Sequence, residues 1–182
     1  MKKFNFLIIF VFVSQFLFSQ DRFITRNGIV SFSSEAPLEK IEAINNKVSC
    51  VLDFKTGEIV FQIYMISFNF DKALMQEHFN EKYVESEIYP KSIFKGKIQN
   101  WESVNKKQGE KYNVKASGII EIHGIKKEIG ADGTLELINK EVHIQSDFFI
   151  RVSDFNIKVP RIVRNNIAKE VIINVDVTLN KM

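Results

Sequence analysis

Histidine and cysteine are the side chains that most often ligate metals or act as bases and nucleophiles near neutral pH, and this sequence has few of them. His78, His123, His143 and Cys50 are the full set. His78 is followed three residues on by Glu81, but Lys82 stands where an H-x-x-E-H zinc site would place its second histidine. His123 and His143 fall on the outward parity of two segments expected not to be adjacent, and no carboxylate or cysteine has ligand spacing with either. No serine lies in a G-x-S-x-G setting. Cys50 sits in the alternation Val48, Cys50, Leu52, Phe54, which reads as a small buried apolar side chain. As the sole cysteine it forms no intrachain disulfide, so the fold rests on its core. Metal chemistry and covalent catalysis therefore have no support in these residues, and what the chain offers in quantity is apolar surface.

The elements that arrange that surface follow from its period. Val30 and Phe32 alternate with serines over residues 23–34. Residues 47–54 and 58–68 flank Lys55, Thr56 and Gly57, a tight hairpin in which the glycine supplies a positive φ. Ile59, Phe61, Ile63 and Met65 share one face while Phe68 and Phe70 have the opposite parity, which predicts a β-bulge near Ile66 and Ser67. Four more runs of period two cover residues 91–101, 111–123, 128–138 and 141–152, and a last one covers residues 170–180. Leu38, Ile41 and Ile44 fit either a short amphipathic turn or an irregular extended piece. Residues 160–166 break the pattern before the last strand.

The period changes only between residues 70 and 90. There Leu74, Met75, His78 and Phe79 share a helical face behind Asp71, a plausible N-cap, and Tyr89-Pro90 returns the chain to extended geometry. The expected architecture is all-β: an eight-stranded antiparallel up-and-down barrel of lipocalin-like shape, with one short helix between strands 3 and 4.

Residues 1–19 stand apart, with Lys2 and Lys3 before an apolar stretch and Ser19-Gln20 at its exit. This is the layout of a secretory signal, which leaves residues 20–182 as one barrel domain exported to the periplasm or beyond. Two of the 25 basic residues leave with it, so the formal charge falls from +3 to +1 and nucleic acid is not an expected partner. Lys91, Lys95 and Lys97 on one strand, with Lys106 and Lys107 in the next loop, suit a solvated exterior or transient contact with an anionic membrane surface.

An eight-stranded barrel is near the size at which side chains either fill the lumen or leave room for one ligand. The inward set mixes large residues (Phe32, Phe54, Phe61, Phe94, Phe148) with small ones (Ser92, Gly96, Ala116, Gly118, Ala131, Gly133, Ser146). Small inward residues on several strands leave a lengthwise void, whereas inward-folded phenylalanines would fill it; the pattern admits both. In the first case the wall comprises Phe32, Phe61, Ile63, Phe94, Ala116, Gly118, Ile120 and Phe148, with Phe68, Phe70, Met75 and Phe79 as lid or mouth. Asp71 and His78 are spaced as a cap and a mouth-facing side chain rather than as a general-base pair.

The run EHFNEKYVESEIYPKSIFKGKI, together with GIVSFSSEAPLEKIEAIN, TGEIVFQI and GIIEIHGIKKEI, closely resembles the YceI-like family of secreted lipid-binding proteins over roughly residues 27–180. The resemblance implies a non-enzymatic barrel that holds a polyisoprenoid or similar long apolar chain as its ligand and needs no cofactor. Two rivals are an enzyme acting on an isoprenoid or quinone substrate, and an interaction or adhesion module with a filled core. The residues leave the oligomeric state open.

Overall fold

A computed structural model describes residues 21–104, 107–161 and 166–182. The segment read as a secretory signal and Lys106 of the lysine cluster lie outside these residues.

Alternation of apolar and polar side chains produces long antiparallel strands: β1 (Arg22–Glu35), β2 (Lys40–Asp53), β3 (Glu58–Tyr64), the two-residue β4 (Asn69–Phe70), β5 (Lys91–Ile98), β6 (Lys111–Ile122), β7 (Ile125–Ile138), β8 (Glu141–Arg151) and β9 (Glu170–Lys181). Their order is β1-β9-β8-β7-β6-β5-β3-β2, and β1 pairs with β2 to close the ring. β4 adds only a short bridge to the Ala43 and Ile44 end of β2. Among the described residues the result is a closed eight-stranded up-and-down barrel with one extra strand and one short helix, α1 (Ala73–His78). The helix lies between the third and fourth barrel strands, as the change of period indicates.

Turn chemistry sets the register. Asp53 Oδ1 accepts from the backbone N–H groups of Lys55 (2.9 Å) and Thr56 (3.2 Å), and Gly57 takes φ +75°. Asn139 and Lys140 both adopt positive φ, the conformation a two-residue hairpin turn demands. His123 and Gly124 do the same between β6 and β7, so β7 starts at Ile125 and the hairpin is tighter than the sequence pattern implies.

Of the segment left open between an amphipathic turn and an irregular extended piece, Leu38 lies in the bend between β1 and β2, while Ile41 and Ile44 belong to β2, which begins at Lys40 and pairs with β1 from Glu35 inward. Two local expectations are corrected. The parity change before Phe68 is taken up by a 3-10 turn, Met65–Ser67, rather than a bulge. β3 ends where Met65 N–H makes a last bond in ladder register to the Pro90 carbonyl (3.0 Å), since Pro90 has no N–H to return, and where buried Asn45 donates its Nδ2 to the Tyr64 carbonyl (2.9 Å). The true register shifts lie in β1 around Gly28, opposite Val48 and Asn45 of β2. Lastly, α1 is entered from Lys72 without a side-chain cap, so Asp71 is not its N-cap, and Leu74 faces solvent.

The largest buried cluster sits towards one end, and two smaller ones, around Val48 and Met65 and around Ile120 and Phe155, lie nearer the other. At the first end Leu52, Leu135, Val142, Val177 and Leu179 are fully buried with Phe23, Cys50 and Ile98. Trp101, from the turn Trp101–Ser103, covers that end and meets Phe54 edge-on at 5.1 Å. Cys50 is enclosed in this cluster, and burial pushes its thiol far above the ordinary range, as expected for an inert apolar residue.

Candidate ligand-binding site

At the opposite end, where α1 sits, the lumen is not filled. The strand ends there enclose a cavity of about 330 Å³ walled almost wholly by carbon. Eleven of the twelve residues expected to form it do line it: Phe32, Phe61, Ile63, Phe68, Phe70, Met75, Phe79, Phe94, Ala116, Ile120 and Phe148. Gly118 does not. It pairs with Gly96 across β5 and β6, and a Cβ on it would collide with the Lys95 carbonyl and the Gly96 Cα. Its small size serves the close approach of two backbones, so a bulky residue there would distort the sheet rather than block the void.

Hydroxyl groups on the wall are turned away from the space. Ser92 Oγ donates to the Glu121 carbonyl (2.9 Å) and Ser146 Oγ to the Asp132 carbonyl (2.7 Å). Each serine therefore shows the lumen little more than its β-carbon, and the inner wall is apolar in practice.

The mouth is built by α1 and the connection between β8 and β9. Met75, His78 and Phe79 of the helical segment face inward. Phe79 packs on Phe32, Phe68 and Phe70 with ring centroids 5.0–5.7 Å apart, including a stacked pair with Phe32. α1 continues into a π-helical turn, Phe79–Tyr83, in which Val84 N–H reaches the Phe79 carbonyl (2.9 Å). The connection after β8 supplies Ile157, Val159 and Ile167, none of them anticipated. Alternation of Ile157 and Val159 with exposed Lys158 and Pro160 is the signal that reveals them.

Polar groups on the lining gather at this rim. Glu39, between β1 and β2, accepts from Lys72 Nζ (3.0 Å) and from Asn166 Nδ2 (3.2 Å), so one carboxylate joins three segments around the opening. The hydrogen bond from Lys72, reinforced by that from Asn166, holds its pKa below the usual carboxylate value. A depressed folded-state pKa means that its stabilisation is present at neutral pH and fades as pH falls through that value. The melting temperature of Glu39→Gln is accordingly expected to lie below that of the parent at pH 7, with the gap narrowing as the pH falls below the ordinary carboxylate range. A gap independent of pH in thermal scans would show that the carboxylate's charge plays no part.

His123 is not on the solvated outer face its parity implies. Its Nδ1 donates to the Phe155 carbonyl (3.0 Å), its Nε2 lies 2.6 Å from Glu85 Oε2, and the Tyr89 ring packs beside it. It fastens the turn after α1 and the turn Val152–Phe155 to the β6–β7 hairpin. His143 bonds Asp176 Oδ1 on the outside of the barrel (2.8 Å). Among the described residues no three His, Cys, Asp or Glu side chains converge as metal ligands. Of the exterior lysines, Lys91 lies over the Tyr64 ring and Lys107 reaches Glu110 (3.6 Å).

The YceI-like domain model matches residues 25–179, which is nearly all of the barrel. The chain belongs to the YceI-like family. Among solved structures, a polyisoprenoid binding domain from Saccharophagus degradans is similar over 90% of this chain and 99% of its own (TM-score 0.78, 13% identity). BcnA of Burkholderia cenocepacia is similar over 85% and 96% (TM-score 0.70, 20% identity). The YceI protein of Campylobacter jejuni is similar over 76% and 83% (TM-score 0.60, 18% identity). At these identities the likeness is one of fold. No curated protein matches the sequence significantly. The YceI-like barrel and the apolar cavity at its helix end thus coincide in one domain.

Proposed function

We propose that this YceI-like protein is an exported, non-enzymatic lipid-binding protein that holds a polyisoprenoid or similar long apolar chain in the barrel. The observation that carries the reading is the cavity, in which the Ser92 and Ser146 hydroxyls are turned into backbone carbonyls so that carbon faces the space. Burying each methylene there contributes about 0.8 kcal/mol, enough for a chain to bind without a specific polar partner. A polar head would rest at the rim, beside Glu39, His78 and Asn166. Family membership supports the same ligand class, as does the description of the Saccharophagus degradans domain. The signal-like residues 1–19 support export to the periplasm or the medium.

Mass spectrometry of an organic extract of the natively exported protein is the test, with the intact mass of the same sample. A long-chain lipid at about one per protein, on a chain beginning near Gln20, is expected. An extract without lipid, together with failure of added isoprenoids to bind, would replace the carrier with a barrel that acts through its exterior. Turnover of a bound isoprenoid that disappears in His78→Ala would make the protein an enzyme.

A further inference from the structure

The lumen is divided along its axis, and the division is built from identifiable rows of side chains. In the row Tyr112–Leu135–Ile144–Val177 and the next, Leu137–Val142–Leu179, large residues meet across neighbouring strands, and Leu135, Val142 and Leu179 have no exposed surface at all. One step towards the helix end, the rows become Ile98–Ala116–Ala131 and Val114–Gly133–Ser146. Here the cavity begins. Ile59, Ile98, Val114 and Ile144 belong both to the packed cluster and to the cavity lining, so they are its floor.

Resting on the lipid-binding reading, we infer that this floor sets a ceiling on the length of chain held inside, and that Ile98 and Val114 are the residues that fix it. At about 30 Å³ for a water-sized group, 330 Å³ accommodates about 11 carbon groups. That is two isoprene units and about one carbon of a third. Further units of a longer chain stay at the mouth, in contact with the rim and water. Trp101 and the filled rows beneath the floor prevent the chain from threading through the barrel.

A series of prenyl alcohols tests this: geraniol (two units), farnesol (three) and geranylgeraniol (four), in competition with the fluorescent probe N-phenylnaphthylamine. Each fully buried carbon tightens binding about fourfold, so a unit that enters the cavity gives at least a tenfold gain. Geraniol, with ten carbons, is expected nearly to fill the space, so farnesol should bind only about fourfold more tightly and geranylgeraniol within about threefold of farnesol. In the double variant Ile98→Ala, Val114→Ala, the removed side-chain carbons amount to one isoprene unit, and a gain of at least tenfold should appear between geraniol and farnesol. Ala116→Leu adds three carbons just above the floor and should weaken binding of geraniol itself at least tenfold. The wild-type series and Ala116→Leu decide the matter even if the double variant fails to fold. A gain of at least tenfold from geraniol to farnesol, or from farnesol to geranylgeraniol, in the parent would overturn the ceiling while leaving lipid binding intact. Absence of binding by all three alcohols would instead remove the lipid-binding reading, and the ceiling with it.

Discussion

Ala131→Phe is expected to weaken binding of a long apolar chain at least about a hundredfold while leaving the barrel folded. Ala131 of β7 faces the cavity directly opposite Ala116 of β6, near the floor, where the wall is built of small residues. A benzyl group projecting from that position takes up room that a ligand chain would use. Excluding about four methylenes at about 0.8 kcal/mol each removes about 3 kcal/mol, which corresponds to more than a hundredfold in Kd. Overpacking a filled core by this much costs about 1–3 kcal/mol, but here the added ring meets space. The urea midpoint of the variant is therefore expected to match or exceed that of the parent. Titration with farnesol and equilibrium unfolding, on the same preparation, check both halves. Undiminished binding by a stable variant would mean that the chain does not occupy this part of the lumen.

Leu135→Ala should do the reverse, lowering stability by about 2–5 kcal/mol with an unchanged m-value in urea. Leu135 is on the same strand and the same face as Ala131, but two pairs further from the mouth, where its side chain is enclosed by the filled rows. Truncation there opens a hole in close-packed material that the surrounding barrel, hydrogen-bonded on all sides, cannot collapse around. Phe148→Ala offers the contrast. Its ring already borders empty space, so fewer contacts are lost and a cost of about 1–2 kcal/mol is expected, below the usual range for a buried phenylalanine. Equal losses at Leu135 and Phe148 would argue that the lumen is uniformly packed.

Much of this molecule is legible in its sequence because β structure records itself at period two. The parity of Ile59, Phe61, Ile63 and Met65, of Val114, Ala116, Ile120 and Ile122, and of Val142, Ile144, Phe148 and Ile150 marks the inner face of each strand. Short connections between such strands leave a meander as the economical topology. The break of period at residues 70–90 likewise locates α1. Harder to read were features whose cause lies on another strand or in a loop. Glycine at position 118 looks inward by parity, yet it is small because Gly96 approaches it from β5. Asn45, fully buried, ends β3 by capping Tyr64, nineteen residues away. His123 leaves its alternating pattern because its positive φ turns the ring towards Glu85 and Phe155.

The sequence by itself determined the closed all-β meander, the position of the helix, and the mixture of large and small residues inside, since each depends on neighbours in the chain. Whether that mixture filled the lumen or left a void was undecided at that level. The tertiary structure settled it through strand register, which gathers Leu135, Leu137, Val142 and Leu179 into filled rows at one end and aligns Ala116, Ala131, Gly133 and Ser146 at the other. A volume is a property of side chains that face one another across a barrel, and only the pairing of strands specifies which ones do.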